Sequence, residues 1–283
     1  MTALSRFLPA DYDSTRSVAV LAGKGRYPEM TIERFRAAGV PLRLVAFEGE
    51  TSEELAATFA ENERVWIKVG QLGHMLDALQ RFGVGYAISV GQITPRRLFK
   101  GLTPDLKAVM LLAAMKEKNA ETIFGTITRE VEKIGVTQLD ARAFLDSELA
   151  TSGCMTGWRS GIESDTLAYG IRIAKEMARL DIGQGVVVSG GTTIAVEAFE
   201  GTDKMLERCA QIESRDPLYV KTVKPRQDYR FDVPCFGLRT LESMVVGGIR
   251  RAALEAGNVL VLEREKVIQR AKELGIVLYG YAM

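Results

Sequence analysis

The strongest constraint on the fold is the alternation of short apolar runs with helical segments through the first half of the chain. Because strands that alternate with helices build parallel sheets with crossover helices, we predict a Rossmann-like α/β domain over residues 1–146, after a loose leader at 1–16. The predicted strands are residues 17–22, 42–47, 64–69 and 86–90, and the predicted helices are residues 28–38, 71–82, 103–114 and 120–134, with Thr103 as an N-cap.

The second half repeats the pattern and predicts a second α/β domain of similar size over residues 147–283. The polar, glycine-rich stretch 146–161 has no clear period and is the candidate linker. The predicted helices are residues 164–180, 203–212, 245–256 and 264–274, and the predicted strands are residues 185–189, 193–198, 259–263 and 276–279.

Composition excludes several functional classes. A net charge of +1 provides no global attraction to nucleic acid, so any anion site must be local. Three widely spaced cysteines do not make a disulfide framework, and a single histidine excludes a multi-histidine zinc site. The start of the chain lacks the apolar region of a secretory signal, and the longest apolar run is too short to span a membrane, so we expect a cytoplasmic protein.

Residues 221–237 carry the densest group of charges that could bind a phosphate ester. Four cations and two carboxylates lie within this stretch, whose prolines and glycine disfavour a long helix. Cations neutralise phosphate oxygens, while a carboxylate holds a divalent metal or positions a water. A solvated basic loop with weak ion pairs is the competing interpretation. The charged residues are Lys221, Lys224, Arg226, Asp228, Arg230 and Asp232.

A glycine turn follows the first predicted strand and precedes a helix. Gly23, Lys24 and Gly25 could bring backbone N–H groups close to a phosphate. A tight turn without a ligand is the alternative. Pro28 stands where a dinucleotide-binding motif has its third glycine, which disfavours that class.

Two segments of the second half hold further candidates. Gln184 follows Gly183, which is the expected C′ cap of the preceding helix, and its amide could contact a base or a sugar. Glu197 lies in a mostly apolar stretch and is therefore expected to have a partner or a function. Thr202 could cap the next helix.

These motifs together resemble one family, the LpxI-type UDP-2,3-diacylglucosamine pyrophosphatases of lipid A biosynthesis. The resembling segments are VLAGKGRYP, RLDIGQGVVV followed by AVEAFEGTD, and KTVKPRQDYRFDVPCFG. The resemblance implies two α/β domains with the active site in the cleft between them. It implies Mg²⁺-dependent hydrolysis of a lipid-linked nucleotide sugar to UMP and 2,3-diacylglucosamine 1-phosphate (lipid X). A peripheral contact with the inner membrane and a homodimer are further expectations from this class.

The resemblance also assigns roles by position. Asp232 matches the catalytic acid and becomes the first candidate for the metal ligand or the group that orients water, with Asp228 second. Lys221, Lys224 and Arg230 match basic positions that would neutralise the diphosphate. The remaining matches, expected to bind substrate, are Gly23, Lys24, Gly25, Gln184, Glu197 and Thr202.

Two segments of the first half depart from the family pattern, at residues 91–96 and 118–121. They leave open a phospholigand-binding protein without turnover. A nicotinamide-dependent oxidoreductase is the third hypothesis, which the missing third glycine disfavours and which an NADH titration would distinguish.

Overall fold

A computed structural model describes residues 4–93, 104–115, 120–157 and 159–283. The chain divides into two compact units. The first unit consists of Met1–Asp146 together with Asp228–Asp232, and the second unit consists of Ser147–Gln227 and Val233–Met283. A short stretch of the charged segment therefore belongs to the first unit, although the rest of that segment belongs to the second.

The first unit is built on a five-stranded sheet with the order β3-β2-β1-β4-β5, and every neighbouring pair is parallel. The chain moves outward from β1 in one direction and then returns to its other side at β4, as in doubly wound folds. The predicted Rossmann-like domain is therefore confirmed. Its strands are β1 (Val18–Ala22), β2 (Leu42–Phe47), β3 (Arg64–Ile67), β4 (Tyr86–Val90) and β5 (Thr137–Gln138).

Helices of the first unit pack their apolar residues against this sheet. Leu76 and Leu79 of α3 join Ala19 and Val45 of the sheet in one buried cluster. The helices are α1 (Arg26–Ala37), α2 (Glu53–Ala57), α3 (Leu72–Phe82), α4 (Leu106–Ala114) and α5 (Ala120–Lys133).

The start of α4 differs from the prediction. Asp105, expected within the first turn, is the N-cap, and its carboxylate accepts a hydrogen bond of 2.9 Å from the Ala108 N–H. Thr103, the expected cap, lies outside the described residues, as do residues 94–96 and 118–119 of the two segments that depart from the family pattern.

The second unit contains a six-stranded mixed sheet, β6-β13-β11-β9-β7-β8, and a two-stranded parallel sheet, β10-β12. Its strands are β6 (Gly153–Cys154), β7 (Gly185–Ser189), β8 (Thr192–Val196), β9 (Leu218–Lys221), β10 (Cys235–Phe236), β11 (Arg251–Glu255), β12 (Leu260–Val261) and β13 (Val277–Tyr281). Its helices are α6 (Ser164–Arg179), α7 (Thr202–Arg208), α8 (Leu238–Val246) and α9 (Arg264–Glu273).

Strand β9 divides its side chains between two apolar cores. Leu218 and Val220 join the cluster on one face of the sheet, whereas Tyr219 packs with Phe236 and Met244 on the other face. Because side chains alternate along a strand, Lys221 shares the face of Tyr219. The strand thereby directs a lysine into the interior of the unit.

The helix predicted over residues 245–256 is wrong. Helix α8 ends at Val246, Gly248 has a φ of 71°, and the chain continues as β11 in the middle of the sheet. The apolar spacing fitted a helix, but the glycine pair ends it, and burial of residues 252–254 between β9 and β13 decides the strand.

Part of the candidate linker at 146–161 forms regular structure, although its composition shows no clear period. Gly153–Cys154 forms β6, which pairs antiparallel with β13 at the edge of the second sheet. No helix in the described part of the chain has the length and apolarity needed to cross a membrane.

Candidate functional site

A buried polar cluster in the second unit joins three residues that the sequence singled out. Lys221 is 5% exposed, and its Nζ donates a hydrogen bond of 3.4 Å to Thr202 Oγ1. Thr202 Oγ1 in turn donates to Glu197 Oε1 at 2.5 Å. A lysine, a hydroxyl and a carboxylate therefore form a chain of hydrogen bonds that links β9 to the loop after β8.

The protonation states of Lys221 and Tyr219 in this cluster are determined by burial and by neighbouring groups. Burial acts to lower the pKa of Lys221, but Tyr219, Glu197 and Cys235 favour the charged ammonium and together raise the pKa above its usual value. Burial raises the pKa of Tyr219 to about 12. Because the Tyr219 phenol is neutral at neutral pH, the Glu197 carboxylate is the neighbour that favours the charged Lys221 ammonium there.

Gly185 makes room for the cluster. A Cβ atom at this position would lie 2.7 Å from Glu197 Oε2, closer than real Cβ contacts occur. Glu197 Oε2 is itself buried and accepts no hydrogen bond from the part of the chain that the structure describes. Gln184, the preceding residue, accepts the Thr222 N–H through its backbone carbonyl at 2.9 Å, so its backbone holds the end of β9.

Lys224 is held by a residue that the sequence analysis missed. Its Nζ is ion-paired with Asp181, which lies two residues after the end of α6 in the left-handed region with a φ of 56°. The Ile182 N–H donates to Met177 and the Asp181 N–H donates to Ala178, which is the Schellman pattern. Asp181, rather than the expected Gly183, is therefore the C′ residue.

Gly183 has a different role from the predicted cap. A Cβ atom there would meet the backbone carbonyl of Glu197 at 2.2 Å. Glycine is required because the chain entering β7 runs against the chain leaving β8. This close approach could not be inferred from local sequence.

A second buried network supports the turn after β9. Glu255 is 3% exposed, and its Oε2 accepts hydrogen bonds from Lys175 Nζ at 2.6 Å, Thr222 Oγ1 at 2.6 Å and the Val223 N–H at 3.0 Å. Burial acts to raise the pKa of Glu255, but these donors outweigh it and lower the pKa. The signal in the sequence was an acid that closes an apolar strand, AALE, yet the misassigned helix hid it.

Asp228 and Arg230 form a forked ion pair in the first unit. Arg230 Nε lies 2.9 Å from Asp228 Oδ1, and Arg230 Nη2 lies 2.7 Å from Asp228 Oδ2. Arg230 Nη1 also contacts Glu132 Oε1 at 2.8 Å. The hydrogen bonds from Arg230 lower the pKa of Asp228, so both groups stay charged and oriented.

Asp232 lies at the end of the same stretch. Its N–H donates to the Asp228 carbonyl at 3.2 Å, and its side chain is half-buried. The preceding Phe231 stacks on Phe124 with ring centroids 5.7 Å apart. The Arg230 carbonyl accepts a hydrogen bond from Gln138 Nε2 at 3.3 Å. Bonds to α5 and β5 therefore fix the backbone on which Asp232 stands.

The glycine turn is bonded mainly to its own sheet. The Gly23 N–H donates to Val90, and Lys24 exchanges backbone hydrogen bonds of 2.9 and 3.1 Å with Gln92. A Cβ atom at Gly23 would lie 2.7 Å from the Gln92 carbonyl oxygen. The tight-turn interpretation accounts for Gly23. Gly25 precedes α1 with a φ of 95°, and the Lys24 side chain is exposed.

The carboxylates of these groups offer few ligands for a magnesium ion. Among the described residues, no three His, Cys, Asp or Glu side chains cluster closely enough to hold a metal ion without further ligands. Arg230 occupies both oxygens of Asp228. Mg²⁺, however, is commonly held by one or two carboxylates plus waters and substrate phosphates, and Asp232 fits that limited requirement.

The predicted site residues thus fall into separate groups. Asp228, Arg230 and Asp232 belong to the first unit, as do the glycine-turn residues. The other predicted residues, all in the second unit, are Gln184, Glu197, Thr202, Lys221 and Lys224.

A chain that has a doubly wound domain and a second α/β unit, and whose lysines, arginine and carboxylates are oriented by their neighbours, is typical of enzymes that act on phosphate-containing substrates. Comparison of the chain with models of known protein families identifies a narrower class of enzyme. The LpxI N-terminal domain matches residues 17–147 and the LpxI C-terminal domain matches residues 151–279. The chain therefore belongs to the LpxI family, which confirms the resemblance noted from its motifs.

One curated relative matches nearly the whole chain. It is the UDP-2,3-diacylglucosamine pyrophosphatase LpxI of Caulobacter vibrioides, 29% identical over 280 residues, which cover 94% of this chain and 97% of the relative. Among solved structures, N5-carboxyaminoimidazole synthase from Aspergillus clavatus, in complex with ADP and 5-aminoimidazole ribonucleotide, has a TM-score of 0.24 and 12% identity. The match covers 63% of this chain and 39% of that one, a likeness too weak to carry an argument.

Proposed function

We propose that this protein hydrolyses the diphosphate of UDP-2,3-diacylglucosamine, giving UMP and 2,3-diacylglucosamine 1-phosphate in lipid A biosynthesis. The observation that carries the proposal is the match to both LpxI domains and to a named pyrophosphatase along nearly the full length of both chains. In the reaction, the oxygen of water bonds to one phosphorus while the bridging P–O bond breaks.

Asp232 is proposed to orient the attacking water and accept its proton. Supporting this role, its backbone is anchored through Asp228, Phe231 and the Arg230 carbonyl, so the carboxylate stands on a fixed loop. A positioned carboxylate of this kind contributes about 10²–10⁴-fold to a hydrolytic rate. Asp228 is proposed to act through Arg230, whose guanidinium it holds for contact with a phosphate oxygen.

Lys221 and Lys224 are proposed to neutralise the diphosphate. Lys221 is buried and bonded to Thr202, and Lys224 is ion-paired with Asp181, so neither lysine must be ordered when substrate binds. Glu197 and Thr202 orient Lys221. Gln184, Gly25 and the Lys24 side chain remain candidates for contacts with the nucleotide.

Mg²⁺ is proposed as the cofactor, with Asp232 as its protein ligand. When bound, it would neutralise charge on the phosphate oxygens and lower the pKa of a bound water. The substrate itself would supply further oxygen ligands.

A peripheral membrane contact is proposed because the substrate carries acyl chains. Three apolar side chains of α4 are largely exposed: Leu106 at 76%, Met110 at 64% and Val109 at 47%. An apolar helix face of this kind can lie in a lipid interface without crossing it.

The direct test is release of UMP from UDP-2,3-diacylglucosamine by the purified protein, first with Mg²⁺ and then with EDTA. Magnesium-dependent release is expected. Tight binding of the substrate by folded, magnesium-loaded protein without release would favour the phospholigand-binding alternative instead.

A further inference from the structure

The guanidinium of Arg142 lies over two aromatic rings of the first unit. Its Cζ is 4.2 Å from the centroid of the Phe7 ring and 3.3 Å from the centroid of the Tyr229 ring. Phe7 belongs to residues 4–16 at the start of the chain, whereas Tyr229 belongs to the stretch that carries Asp228 and Asp232. We propose that Arg142 is a positioning residue that holds this stretch for hydrolysis, an inference that rests on the proposed function.

The stretch Asp228–Asp232 depends on its surroundings for its conformation. Residues 222–234, all of which the structure describes, lie between β9 and β10 and form neither helix nor strand. A carboxylate that orients water must be held closely in place, because a displacement of about 1 Å can lower a rate by about 10²-fold. The contacts that the first unit makes with this stretch therefore fix the position of the Asp232 carboxylate.

Arg142 is itself held by short hydrogen bonds. Its Nε lies 3.0 Å from Asp140 Oδ1 and its Nη2 lies 2.6 Å from Asp140 Oδ2, a forked geometry that orients the guanidinium plane. Arg142 is 9% exposed, and a cation is attracted to an aromatic ring more strongly where water is excluded. The neighbouring Ala141 N–H donates to the Tyr229 carbonyl at 2.8 Å. Residues 140–142 thus hold Tyr229 through both its ring and its backbone.

The start of the chain supports Arg142 from its other contact. The Arg6 N–H donates to Asp146 Oδ1 at 3.2 Å. Farther along, the Asp13 N–H donates to the hydroxyl of Tyr86 in β4 at 2.8 Å. These two bonds flank Phe7 in sequence and fasten residues 4–16 to the first unit. Residues 4–16 precede the part of the chain that matches the LpxI N-terminal domain, so the ring of Phe7 is a support from outside the matched range.

A purely structural role is the alternative, in which Arg142 only stabilises the fold. The two roles predict different kinetics for folded protein. Loss of a structural residue lowers the melting temperature but leaves the kcat of the folded enzyme unchanged. Loss of a positioning residue lowers kcat with little change in KM, because it weakens an arrangement that is needed in the transition state.

The test compares Arg142 with a matched arginine of the same unit. Arg142→Met removes the cation and its forked ion pair. Arg36→Met removes a cation that lies 4.5 Å from the centroid of the Phe59 ring, a contact that involves neither residues 4–16 nor the stretch 228–232. Each variant is checked for folding by circular dichroism. UMP release from UDP-2,3-diacylglucosamine is then measured below the melting temperature at several substrate concentrations, which separates kcat from KM.

For Arg142→Met, kcat should fall by about tenfold to 10²-fold with KM little changed. Arg142→Lys keeps the charge but lacks the planar fork, so its kcat should lie between those of Arg142→Met and the wild type. Arg36→Met should keep the wild-type kcat. A wild-type kcat in Arg142→Met, or an equal loss in Arg36→Met, would overturn the positioning role and leave the diphosphatase standing.

Phe7 is tested by two substitutions at the same position. Phe7→Tyr keeps the ring and should retain most of the wild-type kcat, whereas Phe7→Leu removes the ring and should lower kcat severalfold. Because Phe7 acts through Arg142, adding Phe7→Leu to Arg142→Met should lower kcat no further. Losses that multiply in the double variant would contradict the support of Arg142 by the start of the chain.

Failure of the proposed function is recognised separately. If the wild type releases no UMP, the diphosphatase is refuted, and hydrogen exchange of backbone amides decides whether Arg142 holds the stretch. Exchange is measured by mass spectrometry on peptides that cover residues 228–232. Faster exchange in Arg142→Met but not in Arg36→Met would support the holding role, and unchanged exchange in Arg142→Met would overturn it. If Arg142→Met does not fold, Arg142→Lys and Phe7→Leu replace it in both measurements.

Discussion

The ammonium of Lys224 is ion-paired with the carboxylate of Asp181, the C′ residue of α6, whose backbone is in the left-handed region. The Lys224 side chain is 19% exposed, whereas that of Asp181 is 43% exposed. The pair therefore joins the end of a helix to the turn after β9. A non-glycine residue with positive φ is strained, and here its side chain has a contact that glycine could not make.

Replacing Asp181 with glycine removes its carboxylate while keeping the left-handed backbone conformation, so the effect of the ion pair can be measured apart from that of the turn. Asp181→Gly relieves the positive φ and removes a partly exposed ion pair, and since each effect is about 1 kcal/mol or less, the melting temperature should change little. The kcat/KM for UMP release should fall severalfold, because Lys224 loses its tether. Asp181→Asn keeps the side-chain volume and serves as the control. An increase in kcat/KM would mean that Asp181 competes with the substrate for Lys224.

Asp232→Ala should abolish turnover without unfolding the protein. We expect kcat to fall about 10²–10⁴-fold, since the attacking water would no longer be oriented, with the circular dichroism spectrum unchanged. UMP release measured with and without EDTA checks the result. Asp77→Ala, at an exposed position on α3, is the matched control. Turnover near the wild-type level would remove Asp232 from the mechanism.

Lys221 should be needed for both stability and activity, and a second substitution should separate the two. Lys221→Met leaves Glu197 without its cation and should lower the free energy of unfolding by about 3 kcal/mol. Adding Glu197→Gln should restore most of that stability, because the uncompensated charge is removed, but it should not restore hydrolysis. Urea unfolding and UMP release measure the two effects. Recovery of activity in the double variant would contradict the proposed contact between Lys221 and the diphosphate.

The raised pKa of Lys221 also makes a prediction for the pH profile. Because this pKa lies above its usual value, the ammonium should stay charged through neutral and moderately alkaline pH. Any loss of kcat/KM between about pH 7 and pH 10, below the usual lysine value, should therefore come from another group. The pH profile of the residual turnover of Lys221→Met is the control. If the loss of kcat/KM in this range is absent from that profile, the lysine itself titrates between about pH 7 and pH 10.

Glu255 should stabilise the fold in a pH-dependent way. Its folded-state pKa is lowered, so its contribution is present above the usual glutamate pKa of about 4.3 and is lost as the pH falls through the folded value. Glu255→Gln leaves Lys175 without its partner and should cost about 3 kcal/mol at pH 7. The difference from the wild type should shrink below about pH 4.

Urea unfolding between pH 3 and pH 7 measures this difference. Glu176→Gln, which breaks an exposed ion pair on the same helix as Lys175, should change the unfolding free energy little at any pH. A Glu255→Gln difference that stays constant with pH would assign the effect to packing rather than to charge.

The local periodicity of apolar residues was sufficient to predict most of the strands of the first unit. Four of its strands were predicted to within two residues at either end, since buried parallel strands are short apolar runs that end in polar or glycine residues. In the second unit, the same periodicity predicted a helix at residues 245–256, and this prediction was wrong. There a glycine pair and the pairing of the strand with β9 and β13 override the helical spacing of apolar residues. Pairing partners far away in sequence leave no local signal.

The sequence alone determined the residue types of the site and the family that carries them. A motif identifies its cations, carboxylates and glycines by residue type alone, and this identification does not depend on where the residues lie in the fold. The tertiary structure decided which of these residues meet. It joined Lys221 to Thr202 and Glu197, paired Lys224 with Asp181, buried Glu255 against Lys175, and assigned Asp228–Asp232 to the first unit. These contacts depend on strand pairing and burial across many residues, and no local pattern encodes them.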